Sequence, residues 1–241
     1  MLQKTVIRSV STSQREEFYY MKDYNYYLFD ADGTLFDTTE MIYRCFEHSF
    51  RHFKLEMVSA DMVYSNIGLP LQKQLEIYTG SVNNPPFEEY KNVHMTYQLS
   101  IYKDFIRLFP QVDETLRALK ECGKRCAVVS SRLKDSLMLF LEETDILNYF
   151  DIVMSPEGTV LHKPHPEPAL KVLEMFGCKD PAAGLFVGDA SFDIECGARA
   201  GMDTAFVEWS RCSVESLPIK PTYVIKDMKE LLVGTSVEET L

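Results

Sequence analysis

The sequence predicts an α/β protein: a Rossmann-like, doubly wound parallel sheet core with an all-helical cap subdomain inserted after its first central strand. Three observations carry that expectation. Short apolar, β-rich runs that end in polar residues alternate with stretches of helical period, and strands alternating with helices imply a parallel sheet. The runs show little polar alternation, which suits strands covered by helices on both faces. Residues 38–107 break the rhythm with helices alone, and a segment this long within one crossover reads as an inserted subdomain rather than a loop. A chain of 241 residues has the length for one large domain, or for a core plus an insertion.

In chain order, residues 1–20 lack the apolar block of a secretory signal and read as a loosely ordered extension. The first core strand is "YYLFD" at 26–30. The cap, 38–107, follows as "TEMIYRCFEHSFRHF", "SADMVYSNI", "LPLQKQLEIYTG" and "FEEYKNVHMTYQLSIYKDFI", with linkers at 37–39 and 108–111 placed to hinge it over the sheet. The core, 21–37 and 108–241, resumes with the helix "QVDETLRALKECG", stopped by Gly123, and the strand "RCAVVSS" at 125–131. Next come the helix "LKDSLMLFLEET", the strand "DIVMS" at 151–155, and the helix "PEPALKVLEMFG", stopped by Gly177. The strand "GLFVGD" at 184–189, the helix "SFDIECGARAG", the strand "TAFVE" at 204–208 and a final "TYVIKDMKELL" close the pattern.

Composition narrows the function. A net charge of −11, from 25 Lys and Arg against 36 Asp and Glu, and the lack of any basic block offer no face to a nucleic-acid backbone. The six cysteines form no CxxC pair and read as reduced thiols of a cytoplasmic protein, not as a zinc site or a disulfide framework. No apolar run approaches the roughly 20 residues of a bilayer span, so no membrane partner is expected.

In a doubly wound sheet, ligands bind outside the carboxyl ends of the strands, near the point where strand order reverses. The polar residues expected there are Asp30 and Asp32 after the first strand, and Ser130 and Ser131 after the second. Lys163 in "LHKPHPEP" follows "DIVMS", and "GDASFD" supplies Asp189 and Asp193. Four carboxylates in one small volume raise one another's pKa, and burial adds to the effect. A divalent cation resolves the conflict. An all-oxygen ligand set without Cys or His favours Mg²⁺. Metal, lysine, hydroxyl and backbone N–H together describe a site that neutralises a phosphoryl group.

Taken in order, "DADGTLFDT", a serine closing the second strand, "KP" and "GDASFD" resemble the four motifs of the haloacid dehalogenase-like superfamily, over residues 25–232. The helical insertion resembles the cap of its phosphoglycolate-phosphatase-like members. The resemblance implies that Asp30 is a nucleophile forming an aspartyl-phosphate, and that Asp32 is the acid and base, its pKa raised by neighbouring carboxylates. It implies Mg²⁺ held by Asp30, the backbone carbonyl of Asp32, Asp189 and Asp193. Ser130 and the N–H of Ser131 would hold a phosphoryl oxygen, Lys163 would neutralise charge on Asp30 and the phosphoryl group, and Gly33 and Thr34 would shape the turn beside it. The superfamily's dehalogenases lack an acid two residues after the nucleophile, so Asp32 points to phosphoryl transfer. The expected activity is a phosphatase acting on a small phosphorylated metabolite, phosphoglycolate first, as a monomer or homodimer.

Weaker signals complete the reading. "NIGLPLQKQ" resembles the substrate-specificity loop of capped members and would put Gly68 and Lys73 near substrate, although Gly68 also suits a plain turn and Lys73 a solvated face. Arg132 either reaches a substrate anion or starts a helix in solvent. Asp37 and Thr38 belong to the cap linker, with capping of the next helix as their expected role. His162 and His165 read as surface histidines, and Lys163–Pro164 is a candidate cis bond against a base rate of roughly 5–6%. Rival functions are a β-phosphoglucomutase-like phosphomutase, a pyrophosphatase on the same scaffold, and a catalytically silent binding member. The mutase branch carries a histidine on the first cap helix where Ile42 stands here. The silent reading is disfavoured because every chemical position holds a competent side chain.

Overall fold

A computed structural model describes residues 7–8, 18–19, 21–81 and 83–232. Six strands, β3 (Tyr26–Phe29), β4 (Arg125–Val129), β5 (Ile152–Met154), β6 (Gly184–Gly188), β7 (Asp203–Val207) and β8 (Tyr223–Ile225), form one parallel sheet in the order β5-β4-β3-β6-β7-β8. The chain runs outward from β3 through β4 to β5, then crosses back to β6 on the far side of β3. Strand order therefore reverses between β3 and β6, and a crevice opens at their carboxyl ends. Asp30 follows β3 and Asp189 follows β6, so the reversal itself brings these two acids together.

Side-chain alternation along the strands explains the two layers. Tyr27, Phe29, Val128 and Val187 point to one face, against α5 (Val112–Glu121) and α6 (Lys134–Glu143). Leu28, Ala127, Val129 and Phe186 point to the other, against α7 (Glu167–Met175) and α8 (Ser191–Arg199). Both faces are dry. Residues 1–20, expected to form a loose extension, lie largely outside the described residues. Within it, β1 (Ile7–Arg8) pairs antiparallel with β2 (Phe18–Tyr19), and β1 lies beside β8.

Between β3 and α5 come α1 (Thr39–His52), α2 (Ala60–Ser65), α3 (Leu71–Thr79) and α4 (Phe87–Phe105). Helix α1 buries Met41, Cys45, Phe46, Ser49 and Phe50, the three-to-four spacing of a single helix face. That face is divided: Met41 and Cys45 join the core of the sheet, while Phe46 and Phe50 join Val63, Leu75 and Tyr90 in a separate apolar cluster. The chain enters and leaves this helical segment through adjacent backbone. The Asp37 N–H donates to the Arg107 carbonyl at 2.9 Å, and the Phe109 N–H to the Leu35 carbonyl at 3.0 Å.

Candidate active site

Asp30 still belongs to the sheet ladder, its N–H donating to the Val187 carbonyl at 2.9 Å, so strand pairing fixes it at the mouth of the crevice. Asp30, Asp189 and Asp193 carry carboxylate oxygens within 4.8 Å of one another. Two glycines make that approach possible. Gly33 has φ of +89°, and a Cβ there would stand 2.2 Å from the Asp189 carboxylate. A Cβ on Gly188 would stand 2.2 Å from the Cβ of Asp193. The Gly33 N–H closes the turn onto the Phe36 carbonyl at 2.9 Å, so its part here is to make room and not to bind an oxygen of the substrate.

Lys163 is buried on the loop after β5 and donates to Asp30 at 2.5 Å and to Asp193 at 2.6 Å. Its peptide bond to Pro164 is cis. The second oxygen of Asp193 accepts the Ala190 N–H at 3.1 Å, which leaves that carboxylate held on both sides. Among the described residues, the Asp189 carboxylate accepts a single hydrogen bond, from the Thr34 hydroxyl at 3.4 Å. Burial raises the Asp30 carboxyl to about 7 even though Lys163 opposes the shift. Burial, then the charges of Asp193 and Asp30, push Asp189 well above the usual carboxylate range. Burial works against the charge on Lys163, yet Asp193 and Asp30 outweigh it and raise its pKa. Three carboxylates thus share one ammonium, and with all three ionised the group of hard oxygen donors would carry an excess of two negative charges, which is why burial and mutual repulsion raise Asp30 and Asp189. A Mg²⁺-type dication fits that donor set and that charge.

Asp32 stands apart from this cluster. Its carboxylate accepts Arg132 Nη2 at 2.6 Å on one oxygen and Arg132 Nε at 2.9 Å on the other, and the Thr38 hydroxyl donates to it at 2.5 Å. The sequence expectation surrounded Asp32 with carboxylates; its hydrogen-bond partners are a guanidinium and a hydroxyl. The expected cap at Thr38 is likewise corrected. Thr38 occupies the N-cap position of α1 but makes no side-chain capping bond, because its hydroxyl is turned to Asp32. Arg132 is buried rather than solvated. Its Nη1 donates to Gln98 Oε1 at 3.1 Å and Ser136 Oγ at 3.3 Å, and its guanidinium lies 4.3 Å from the Phe140 ring centre.

A cavity of about 60 Å³ lies over these groups, walled by Asp30, Asp32, Ser130 and Arg132 from below and by the helical segment from above. The Ser130 oxygen accepts the Arg132 N–H at 3.1 Å, and among the described residues its hydroxyl donates to no partner. The Ser131 hydroxyl donates to the Gly68 carbonyl at 2.5 Å, tying the loop before α3 to the end of β4. Gly68 lines the cavity. Lys73 does not; it sits exposed on α3 with Glu76 at 3.3 Å, and its neighbour Gln74 is the residue that turns inward. His94 and Gln98 on α4 also face the cavity, and neither was singled out from sequence. The missed signal is a stripe of Tyr90, His94, Gln98 and Tyr102, all buried at a spacing of four.

Residues 27–207, most of the chain, match the family model for haloacid dehalogenase-like hydrolases. The chain belongs to the haloacid dehalogenase-like hydrolase family. Among its relatives, the pyrophosphatase PpaX of Bacillus velezensis is 32% identical over 201 residues, covering 83% of this chain and 91% of that protein. The phosphoglycolate phosphatase of Aquifex aeolicus is 35% identical over 171 residues, covering 70% of this chain and 78% of its own. A haloacid dehalogenase-like hydrolase of Bacteroides fragilis with a solved crystal structure is 28% identical, with a TM-score of 0.76 over 84% of this chain and 96% of that one. The parallel sheet described above is the α/β core of this hydrolase family, and the protein is an enzyme.

Proposed function

We propose that this haloacid dehalogenase-like hydrolase is a Mg²⁺-dependent phosphatase that cleaves a small phosphomonoester through an aspartyl-phosphate on Asp30. The observation that carries the reading is the buried group in which Lys163 bridges Asp30 and Asp193 beside the under-satisfied Asp189. Such a cluster has a use for a dication and a phosphoryl group, and little use for a neutral ligand.

Asp30, the Asp32 backbone carbonyl, Asp189 and Asp193 would hold Mg²⁺, which when bound supplies charge neutralisation for the phosphoryl oxygens. An Asp30 oxygen forms the new bond to phosphorus as the bond to the leaving oxygen breaks, and Asp32 gives that oxygen a proton. Asp32 then takes a proton from water, which attacks phosphorus and frees Asp30. Lys163 offsets charge on Asp30 and the phosphoryl group, while the Ser130 hydroxyl and the Ser131 N–H hold a phosphoryl oxygen. The helical segment 38–107 serves as a cap that excludes bulk water.

The space directly over Asp30 and Asp32 is about 60 Å³, with a further cavity of about 140 Å³ beside Asp189, and the reading takes phosphoglycolate-like esters first and pyrophosphate second. The names carried by the relatives include both substrates. The phosphomutase reading is weaker, because Ile42 lines the cavity with a side chain that cannot carry a proton. The test is phosphate release from phosphoglycolate, pyrophosphate, hexose phosphates and nucleotides with Mg²⁺. Release from a small ester, lost on chelation and independent of any bisphosphate activator, supports the reading. An absolute requirement for a bisphosphate activator would favour the mutase.

A further inference from the structure

Arg132 is the one lysine or arginine on the wall of the cavity among the described residues, and it shares that wall with both Asp30 and Asp32. Its contacts are unequal. Nε and Nη2 grip the Asp32 carboxylate, whereas Nη1 reaches only the neutral oxygens of Gln98 and Ser136. Phe140 beneath the guanidinium and Gln98 beside it fix its plane, so in a competition between anions Asp32 is the partner that can move. In this arrangement the Asp32 carboxyl is directed at Arg132 and Thr38, not at the Asp30–Lys163 group where the ester bond would break.

We propose that Arg132 is a specificity-determining residue that couples recognition of a second anion on the leaving group to release of Asp32. The idea rests on the phosphatase reading and adds a substrate class to it: phosphomonoesters whose short leaving group bears a carboxylate or phosphate. That anion takes the place of the Ser136 hydroxyl, the longer of the two Nη1 contacts, draws the guanidinium's charge to itself, and loosens the grip on Asp32. The freed carboxyl turns to the leaving oxygen, the position from which it serves as the general acid of the proposed reaction. As the Asp30–phosphorus bond forms and the ester bond breaks, the leaving oxygen receives its proton from Asp32. Water restores it to Asp32 when the aspartyl-phosphate is hydrolysed. A neutral leaving group of the same size fills the cavity but leaves Asp32 clamped.

The test compares two esters of nearly equal leaving-group basicity, 2-phosphoglycolate and 2-hydroxyethyl phosphate, with Mg²⁺-loaded wild type, Arg132→Lys and Arg132→Leu. The wild type should prefer the anionic ester in kcat/KM by about tenfold or more, the range of a charge-assisted hydrogen bond. The preference should fall severalfold in Arg132→Lys, whose ammonium keeps the charge without the two-pronged grip, and vanish in Arg132→Leu. Should the leucine variant fail to fold, as removal of one partner from a buried ion pair allows, the lysine variant decides alone. Equal losses on both esters would reduce Arg132 to a structural residue and overturn the coupling. Equal rates on both esters in the wild type would overturn it while leaving the phosphatase reading intact. Phosphate release from neither ester, with release from a hexose phosphate or a nucleotide, would overturn the coupling alone; release from none of the phosphorylated compounds would remove the phosphatase reading as well.

Discussion

The guanidinium of Arg132 holds both oxygens of the Asp32 carboxylate, at 2.6 and 2.9 Å, across a sequence separation of 100 residues. Asp30, two residues before Asp32, faces Lys163 and two other carboxylates instead. Residues two apart on a straight strand would share a face, but β3 ends at Phe29 and the chain bends at Ala31, which sends the two acids of "DAD" into different surroundings. One of them sits where negative charge is in excess. The other sits where it is matched.

That excess makes the cluster a metal-linked element of stability. Saturating Mg²⁺ should raise the unfolding temperature, since a ligand at about a hundred times its Kd adds roughly 2.7 kcal/mol. Asp189→Asn should lose most of the Mg²⁺-induced rise, while Asp37→Asn, at an exposed linker position, should keep it. Thermal melts with and without metal decide the matter. Equal rises in both variants would place the ion elsewhere.

Gly188→Ala should be more damaging than its single methyl implies. The added carbon meets the Cβ of Asp193 at 2.2 Å, and Asp193 is fully buried and held by Lys163 and the Ala190 N–H. Overpacking of this kind costs about 1–3 kcal/mol and moves the carboxylate. Urea denaturation should show the destabilisation, and phosphate release should fall with it. Wild-type stability and turnover in this variant would refute the steric argument.

His94 gives the fold a defined response to acid. Burial, with help from the Arg132 charge, lowers its pKa from 6.5 to about 3. The folded state therefore keeps the imidazole neutral while the unfolded chain takes up a proton below about pH 6.5. Stability from this residue is complete above that pH and is lost progressively as the pH falls towards 3. At about pH 5 the loss is on the order of 2 kcal/mol, at about 1.4 kcal/mol per pH unit. His94→Gln should flatten the stability profile between about pH 6.5 and 4 relative to wild type, whatever it does to stability at neutral pH. Denaturant midpoints across that range read the difference directly; parallel profiles for the two proteins would contradict the assignment.

Much of this was legible in the sequence because it is local. The strands "YYLFD", "RCAVVSS" and "GLFVGD" are short apolar runs ending in polar residues, and Asp30, Ser130 and Asp189 lie where those runs stop. What was not legible depends on distant pairs. Nothing near Arg132 announces a partner 100 residues away, so an arginine at a helix start reads equally as a substrate contact or as solvated. Thr38 carries the residue type and position of a helix cap, and only the folded chain shows its hydroxyl turned to Asp32. Lys73 and Gln74 are adjacent on α3, and an amphipathic reading that favours the charged residue for the ligand chooses the one the helix turns outward.

The most direct test of the central claim is to trap the covalent intermediate on Asp30. Borohydride added during turnover of the preferred ester should reduce an aspartyl-phosphate to homoserine, and peptide mass spectrometry should find that change at position 30. The account predicts the modification at Asp30 with substrate and Mg²⁺ present, none without substrate, and no turnover in a folded Asp30→Asn variant. Modification of a different carboxylate, or undiminished turnover in Asp30→Asn, would contradict it.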